Sequence, residues 1–357
     1  MNSLEVIPHP LLSVILIVRN EADHIEASLS SVASQETANF DMEILVVDGA
    51  SVDGTQQIAR KFAAADSRIT LVVNEREKTP AAMNLGLREA KGEYVCIMGA
   101  HAHYAKNYIS VCLDELRRTG AAGCSGMVLT RPLNNTVEAK LIALALEDPF
   151  GSSTGSCRTQ SEGFVDSISY PVFVKQALLD VGGYDEQLHR NQDNDMNQRL
   201  RARGHHLYLT SKTHCEYFVK GTFRSLAQYA LNTGFWNFIS FRRNRSSMSL
   251  RHFTPFLFVL ALAGTMMCAV VAPFAPAVYQ RPLLAPAVLL LGSYLVAGSL
   301  ASARIAIRKR WLSALLLPPV FFLFHFCYGI GTFLAVIRNA RCEETVPDPR
   351  RYGQAPA

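Results

Sequence analysis

Two carboxylates stand five residues apart in the run Val46-Val47-Asp48-Gly49-Ala50-Ser51-Val52-Asp53-Gly54-Thr55, directly after an apolar, strand-like stretch at 43–47. In an open α/β sheet, ligands bind at the carboxyl ends of the strands. Carboxylates there suit the hydroxyls and N–H groups of a nucleoside, or a metal carrying its phosphates. The same residues also read as a turn at Asp48-Gly49 and a helix cap at Asp53. Glu21, in Arg19-Asn20-Glu21, falls at the end of an earlier strand and so at the same sheet edge, though Asn20 or Glu21 could equally serve the start of the next helix. Asn84 precedes Gly86 in a helical stretch and could face the same cleft. His101 and His103 follow Gly99 at the end of a fourth strand. Imidazoles at i and i+2 suit a borderline metal, although an isolated histidine is more often structural. In Arg190-Asn191-Gln192-Asp193-Asn194-Asp195-Met196-Asn197, Asp193 reads either as a helix cap or as a carboxylate that takes a proton from a substrate hydroxyl.

These residues need a scaffold that brings strand ends together. Apolar strand-like runs at 13–18, 43–47, 69–73 and 93–98 alternate with helical patterns at 22–34, 54–65 and 80–91. The last helix has Thr79 as its expected N-cap, Pro80 at the first helical position and Gly92 just past its end. Such alternation predicts a parallel, helix-covered sheet. Beyond Gly120 the pattern loosens to a strand at 121–129 and helices at 137–146, 174–181 and 195–203, with a Gly/Ser-rich loop at 150–156.

The chain has 357 residues, a net charge of +5 and 49% hydrophobic residues, and its apolar excess lies in the last third. No long basic run interleaved with aromatics occurs in the first half, which argues against nucleic acid as a partner. Eight scattered cysteines lack metal-ligand spacing and point to a reducing compartment without disulfides. The N-terminus lacks the n- and h-regions of a cleaved signal peptide. Residues 223–253, with Phe235, Trp236, Phe238 and Phe241 beside Arg242, Arg243, Arg245 and Arg251, suit an interfacial segment on anionic lipid. Apolar runs at 255–278, 283–303 and 312–337 are each long enough to cross a bilayer. The basic loop at 304–310 is expected on the cytoplasmic side. Three crossings would put Arg338, Arg341, Arg350 and Arg351 outside, so Pro318-Pro319 with Gly329 and Gly331 raises the alternative of a re-entrant hairpin. The spans carry almost no charge apart from His325, which argues against a transporter.

The ordered set 13–21 (Ser13 to Glu21), Asp48 with Asp53, Asn84-Leu85-Gly86 with Ala90-Lys91-Gly92, 181–186 (Val181 to Glu186) and 192–195 (Gln192 to Asp195) resembles the family 2 glycosyltransferases of the GT-A fold, over about residues 10 to 245. Gly99-Ala100-His101-Ala102 with Tyr104, Asp148-Pro149-Phe150-Gly151 with Cys157-Arg158, Val165-Asp166 and the run 249–255 (Ser249 to Pro255) are similar to the succinoglycan-type exopolysaccharide enzymes. The resemblance implies a Rossmann-like α/β domain, mostly parallel with helices on both faces, followed by a transmembrane helical region. It implies an inverting transfer of a sugar from a nucleotide-diphosphate donor, usually UDP-linked, to a lipid-linked saccharide. Glu21, Asp48, Asp53, Asn84 and Gly99 would bind the donor; Asp193 would be the general base; Asp195, Arg224 and Gln228 would contact acceptor or pyrophosphate. His101, with His103 beside it, would hold Mn²⁺ or Mg²⁺. Gly99 stands where the family carries an acid, and Gln192 where it carries a glutamate. The first departure bears on metal dependence and leaves a second role open, a non-catalytic subunit of a polysaccharide-assembly complex. The expected layout is a cytoplasmic catalytic domain at 1–222, an interfacial segment at 223–253, membrane helices at 254–338 and a polar tail at 339–357, in a bacterial inner membrane with lipid and assembly partners.

Overall fold

The computed structural model describes residues 9–99, 102–188, 190–219, 221–245 and 247–341. The chain divides into two compact units, one formed by Met1–Leu129 with Gln160–Phe218 and the other by Thr130–Thr159 with Val219–Ala357.

In the first unit, β1 (Leu11–Val18), β2 (Asp41–Asp48), β3 (Ile69–Val73) and β4 (Tyr94–Gly99) pair in parallel in the order β3-β2-β1-β4. The connecting helices are α1 (Ile25–Ala33), α2 (Thr55–Ala65) and α3 (Thr79–Glu89). Side chains alternate across the pleat. Leu12, Val14, Leu16 and Val18 therefore meet Ile25, Leu29 and Val32 of α1, and α4 (Tyr108–Thr119) adds Ile109, Leu113 and Leu116 to that layer. Ile15, Leu45, Val47, Val95 and Ile97 face the other way, onto Ala82, Met83 and Leu87 of α3. Helices on both faces follow from this alternation.

The rest of the nine-stranded sheet is antiparallel, a half that the sequence patterns do not announce. β5 (Ala102–Tyr104), β7 (Gly163–Val165) and β8 (Val172–Val174) have three residues each. β6 (Gly123–Pro132) and β9 (Leu207–Val219) complete it. Between β8 and β9, α7 (Lys175–Asp180) and α8 (Gln192–Ala202) cover the face shared with α3, through Ala177, Leu178, Met196 and Leu200.

Local details differ from expectation. Thr79 is the first residue of α3 and Lys78 its N-cap, without a side-chain capping bond. Helix α8 begins three residues earlier than its apolar pattern predicts, so Asp193 lies inside the first turn and Asn191 (φ 63°) is the N-cap. Polar residues fill that turn because its N–H groups and the positive helix end favour carboxylates there.

The second unit contains α5 (Val137–Glu147), α6 (Pro149–Ser152), α9 (Phe223–Arg243), α10 (Thr254–Val271), α11 (Ala277–Lys309) and α12 (Leu317–Arg341). Three stretches, Leu250–Phe274, Ala277–Lys309 and Leu312–Arg338, are long and apolar enough to cross a membrane by length and composition. Helix α12 is unbroken, so Gly329 and Gly331 do not turn the chain back in a hairpin. The segment 223–253 is not one helix: α9 ends at Arg243 and a separate 3₁₀ turn, Leu250–Phe253, leads into α10.

Candidate active site

The order β3-β2-β1-β4 places a topological switch point between β1 and β4, where parallel sheets open a crevice at the carboxyl edge. Val18 pairs with Asp48, and Ile17 with Gly99, so the ends of β2, β1 and β4 lie side by side.

Asp48 is fully buried at the end of β2. Its Oδ2 accepts from the Ser51 N–H at 2.9 Å and from Gln56 Nε2 at 2.7 Å. Its Oδ1 is buried and has no hydrogen-bond partner among the described residues. A buried carboxylate oxygen left unmatched is costly and calls for an explanation.

Asp53 is used differently. Its Oδ1 accepts from the Thr55 N–H at 3.1 Å and hydroxyl at 2.6 Å, and its Oδ2 accepts from the Ala22 N–H at 3.0 Å. Burial pushes its carboxyl up, but the bonds from Thr55 and Ala22 outweigh this and hold it below the ordinary carboxylate value. The Thr55 hydroxyl also accepts from the Glu21 N–H at 2.8 Å. Asn20, at φ 53°, accepts from the Val52 N–H at 3.0 Å and donates its own N–H to Ser51 Oγ at 2.8 Å. These bonds lock the segment carrying Glu21 onto the loop carrying Asp48 and Asp53.

Asn84 spends its amide on a partner one hundred residues away. It donates to the Tyr184 carbonyl at 2.8 Å and to Glu186 Oε1 at 3.1 Å, and accepts from the Tyr184 N–H at 2.7 Å. Glu186 also meets Arg76 at 2.5 Å, and these partners hold its carboxyl below the ordinary range despite burial. Asp195 is buried and paired with Arg199 at 2.7 Å. Arg199 in turn donates to the carbonyls of Val181 at 2.8 Å and Gly183 at 2.7 Å. Asn84 and Asp195 thus fix the 181–186 turn from two sides.

That turn carries buried Tyr184, whose hydroxyl feels the charge of Asp193. Asp193 is an exposed residue in the first turn of α8, yet the protein packed around it pushes its carboxyl up from 3.8 to about 6. A carboxylate so raised is a competent proton acceptor near neutral pH.

Gly99 has open space: a Cβ built there would meet only Tyr170, at an ordinary 3.8 Å. His101 lies outside the described residues. His103 is exposed on β5, opposite Glu216, with its ring edge-on to Phe218 at 5.0 Å. Among the described residues no group of three His, Cys, Asp or Glu side chains could hold a metal ion. Arg224 and Gln228 lie on α9, in the second unit. Asp148, singled out in the sequence, is also in that unit. It caps α6 through the Phe150 N–H at 2.8 Å and pairs with Arg304 at 2.6 Å.

The half-parallel sheet, with carboxylates at its switch point and a further carboxylate at the start of a following helix, has the α/β architecture expected of the GT-A fold. Residues 13–175 match the family Glycosyl transferase family 2. The chain is 27% identical over 242 residues to succinoglycan biosynthesis protein ExoA of Rhizobium meliloti, covering 67% of this chain and 70% of that one. It is 20% identical over 336 residues to a dolichyl N-acetyl-alpha-D-glucosaminyl phosphate glucuronosyltransferase of Methanococcus voltae, covering 92% and 98%. Its fold is similar to that of a mannosyltransferase of Pyrobaculum calidifontis solved with GDP-Man and Mn²⁺, with a TM-score of 0.56, 21% identity and coverage of 93% and 87%. Through residues 13–175 the chain is similar to the family 2 glycosyltransferases, and it resembles the succinoglycan-type enzymes.

Proposed function

We propose that the protein transfers a sugar, with inversion, from a nucleotide-diphosphate-sugar to a lipid-linked saccharide at a membrane surface, with UDP the expected carrier. The donor reading is carried by the place of Asp48 at the carboxyl end of β2, beside the switch point between β1 and β4, where open α/β sheets bind their ligands. Asp48 and Glu21 hold the nucleoside, and Asp53 positions the loop that presents them. Asp193 accepts the proton of the acceptor hydroxyl as that oxygen attacks the anomeric carbon. The bond to the diphosphate breaks on the opposite face and the nucleoside diphosphate leaves, as the in-line geometry of inverting sugar chemistry requires. Asn84 and Asp195 act as positioning residues for the turn against which Asp193 lies. Arg224 and Gln228 are proposed to meet the acceptor or the pyrophosphate. The relatives named for succinoglycan and dolichyl-linked glycans, together with the apolar helices, support a membrane-bound acceptor; the proposed place of the active site is the cytoplasmic face of a bacterial inner membrane.

A divalent cation, when bound, would neutralise charge on the leaving diphosphate. Among the described residues no three donors gather for it, and the resemblance assigns the cation to His101, with His103 beside it, together with the donor's own oxygens. Calorimetric titration of UDP into the full-length protein, with and without Mn²⁺, tests both readings. Binding that strengthens several-fold with Mn²⁺ is expected. Because Gly99 has room for a side chain, Gly99→Asp should enlarge the Mn²⁺ effect further. Absence of UDP binding in folded protein contradicts the donor assignment, and metal-indifferent binding in both forms contradicts the cation site.

The pH dependence follows from Asp193. Its carboxyl titrates at about 6, so the proton-accepting form is present above that pH and disappears below it. Donor-saturated turnover should fall about tenfold per pH unit on the acid side. The same shift favours the folded state as pH falls toward 4, because the folded chain binds this proton more tightly than the unfolded one. Thermal unfolding at pH 5 and 7 therefore separates titration of the base from loss of structure.

A further inference from the structure

Three helices are long enough to cross a bilayer, but α12, which also touches α10 and α11, is far more enclosed by protein than either. In α10 and α11 the most apolar stretch is only 11% buried in protein, whereas in α12 it is 44%. The open ends of the α10–α11 pair both meet the segment 147–155. Arg251, just before α10, donates to the Gly155 carbonyl at 3.2 Å. At the end of α11, Arg304 pairs with Asp148 at 2.6 Å and Lys309 with Glu147 at 3.8 Å. The closed end, Ala272–Phe274, is apolar, and Phe274 is 88% exposed.

Helix α12 begins on the same 147–155 segment. Phe321 packs edge-on against Phe150 at 5.0 Å, and His325 Nε2 lies 3.2 Å from the Gly151 carbonyl. From there it runs along α9. Tyr229 stacks on Phe324, Asn237 bonds the Tyr328 hydroxyl, Thr332 donates to the Gly234 carbonyl at 3.1 Å, and Ala335 sits among Phe235, Trp236 and Ile239. Across these pairs the residue numbers differ by a nearly constant 91–100, so the two helices run in the same direction. Glycines let their backbones touch: a Cβ on Gly234 would strike the Tyr328 carbonyl, and one on Gly331 the Leu231 carbonyl.

Helix α9 cannot itself be a crossing. Its start is tied to Glu138 of α5 through the Phe223 N–H, and its end leads to Arg251 on Gly155, so both ends lie at the 130–159 segment. It also carries Arg224, Gln228, Arg242 and Arg243 on exposed positions, which hydrocarbon would penalise heavily. A helix lying along α9 shares its orientation. We infer that the chain crosses the membrane twice, through α10 and α11, and that α12 lies in the lipid interface beside α9. Its outward stripe of Phe326, Ile330, Phe333, Leu334 and Ile337 then rests on hydrocarbon, as in interfacial helices. The surface partner is lipid. This arrangement puts Arg242, Arg243, Arg245, Arg304, Arg308, Lys309, Arg310 and Arg338 on one side, as the positive-inside rule asks. Three crossings would split them.

The test uses the full-length chain with one epitope before Met1 and another after Ala357, in sealed right-side-out and inverted vesicles of the host membrane. Both epitopes should resist protease from outside and be lost at least tenfold faster in inverted vesicles. In Ala275→Cys, an impermeant maleimide should label the α10–α11 turn from outside. Loss of the C-terminal epitope from right-side-out vesicles while the N-terminal one survives overturns the inference. Cleavage of the untagged chain at Arg350 or Arg351 by trypsin added to right-side-out vesicles, read by mass spectrometry, overturns it equally and is free of tag effects.

Discussion

Asp193→Asn is expected to lower turnover by about three orders of magnitude while leaving UDP affinity within about twofold, since general base catalysis contributes about 10²–10⁴. The substitution keeps the side chain's shape and removes only its ability to accept a proton. Helix α8 should not notice it. The helix is held by Met196 and Leu200 in the core, by the Asp195–Arg199 pair, and by Asn197, which donates to the Ile168 carbonyl at 2.9 Å. Removing a carboxyl whose ionised form is disfavoured by enclosure should, if anything, raise the unfolding temperature at pH 8. A purely capping Asp193 predicts the reverse pattern: lower stability with turnover retained. Kinetics and thermal unfolding on the same preparation distinguish the two.

Asp48→Asn should give the complementary signature. Its buried Oδ1 lacks a protein partner, and a hydrogen bond to a charged acceptor is worth about 1.5–3 kcal/mol. UDP binding should therefore weaken by about 10–100-fold, with KM for the donor rising by a similar factor and kcat at saturating donor changing little. The Ser51 and Gln56 contacts to Oδ2 allow an amide to keep the loop in place. An unchanged dissociation constant in calorimetry would show that the unmatched oxygen does not face the donor.

The parallel half of the sheet is legible because β1 and β2 are near-continuous apolar runs, buried on both faces, spaced by amphipathic helices. The antiparallel half was hidden for two reasons. β5, β7 and β8 are too short to show a period of two. In β9 the polar run Thr210-Ser211-Lys212-Thr213 masks strand character that comes from pairing on both sides. The site shows the same division. Asp48 and Asp193 could be picked out because their residue type and position at an element's end carry chemistry. The tasks of Asn84 and Asp195 could not, because each depends on a partner turn, at 181–186, whose position only the folded chain fixes. Asp148-Pro149-Phe150-Gly151 likewise gains a physical reason only in three dimensions, where it docks on Arg304, Phe321 and His325.

The most direct measurement is release of UDP from UDP-sugars by the purified full-length protein, with and without a polyprenyl-diphosphate-linked saccharide, in the wild type and in Asp193→Asn. With Asp193 as the base, release depends on the acceptor, the product has inverted configuration, and the variant is slower by about a thousandfold. Acceptor-dependent release that Asp193→Asn leaves unaltered would contradict that role.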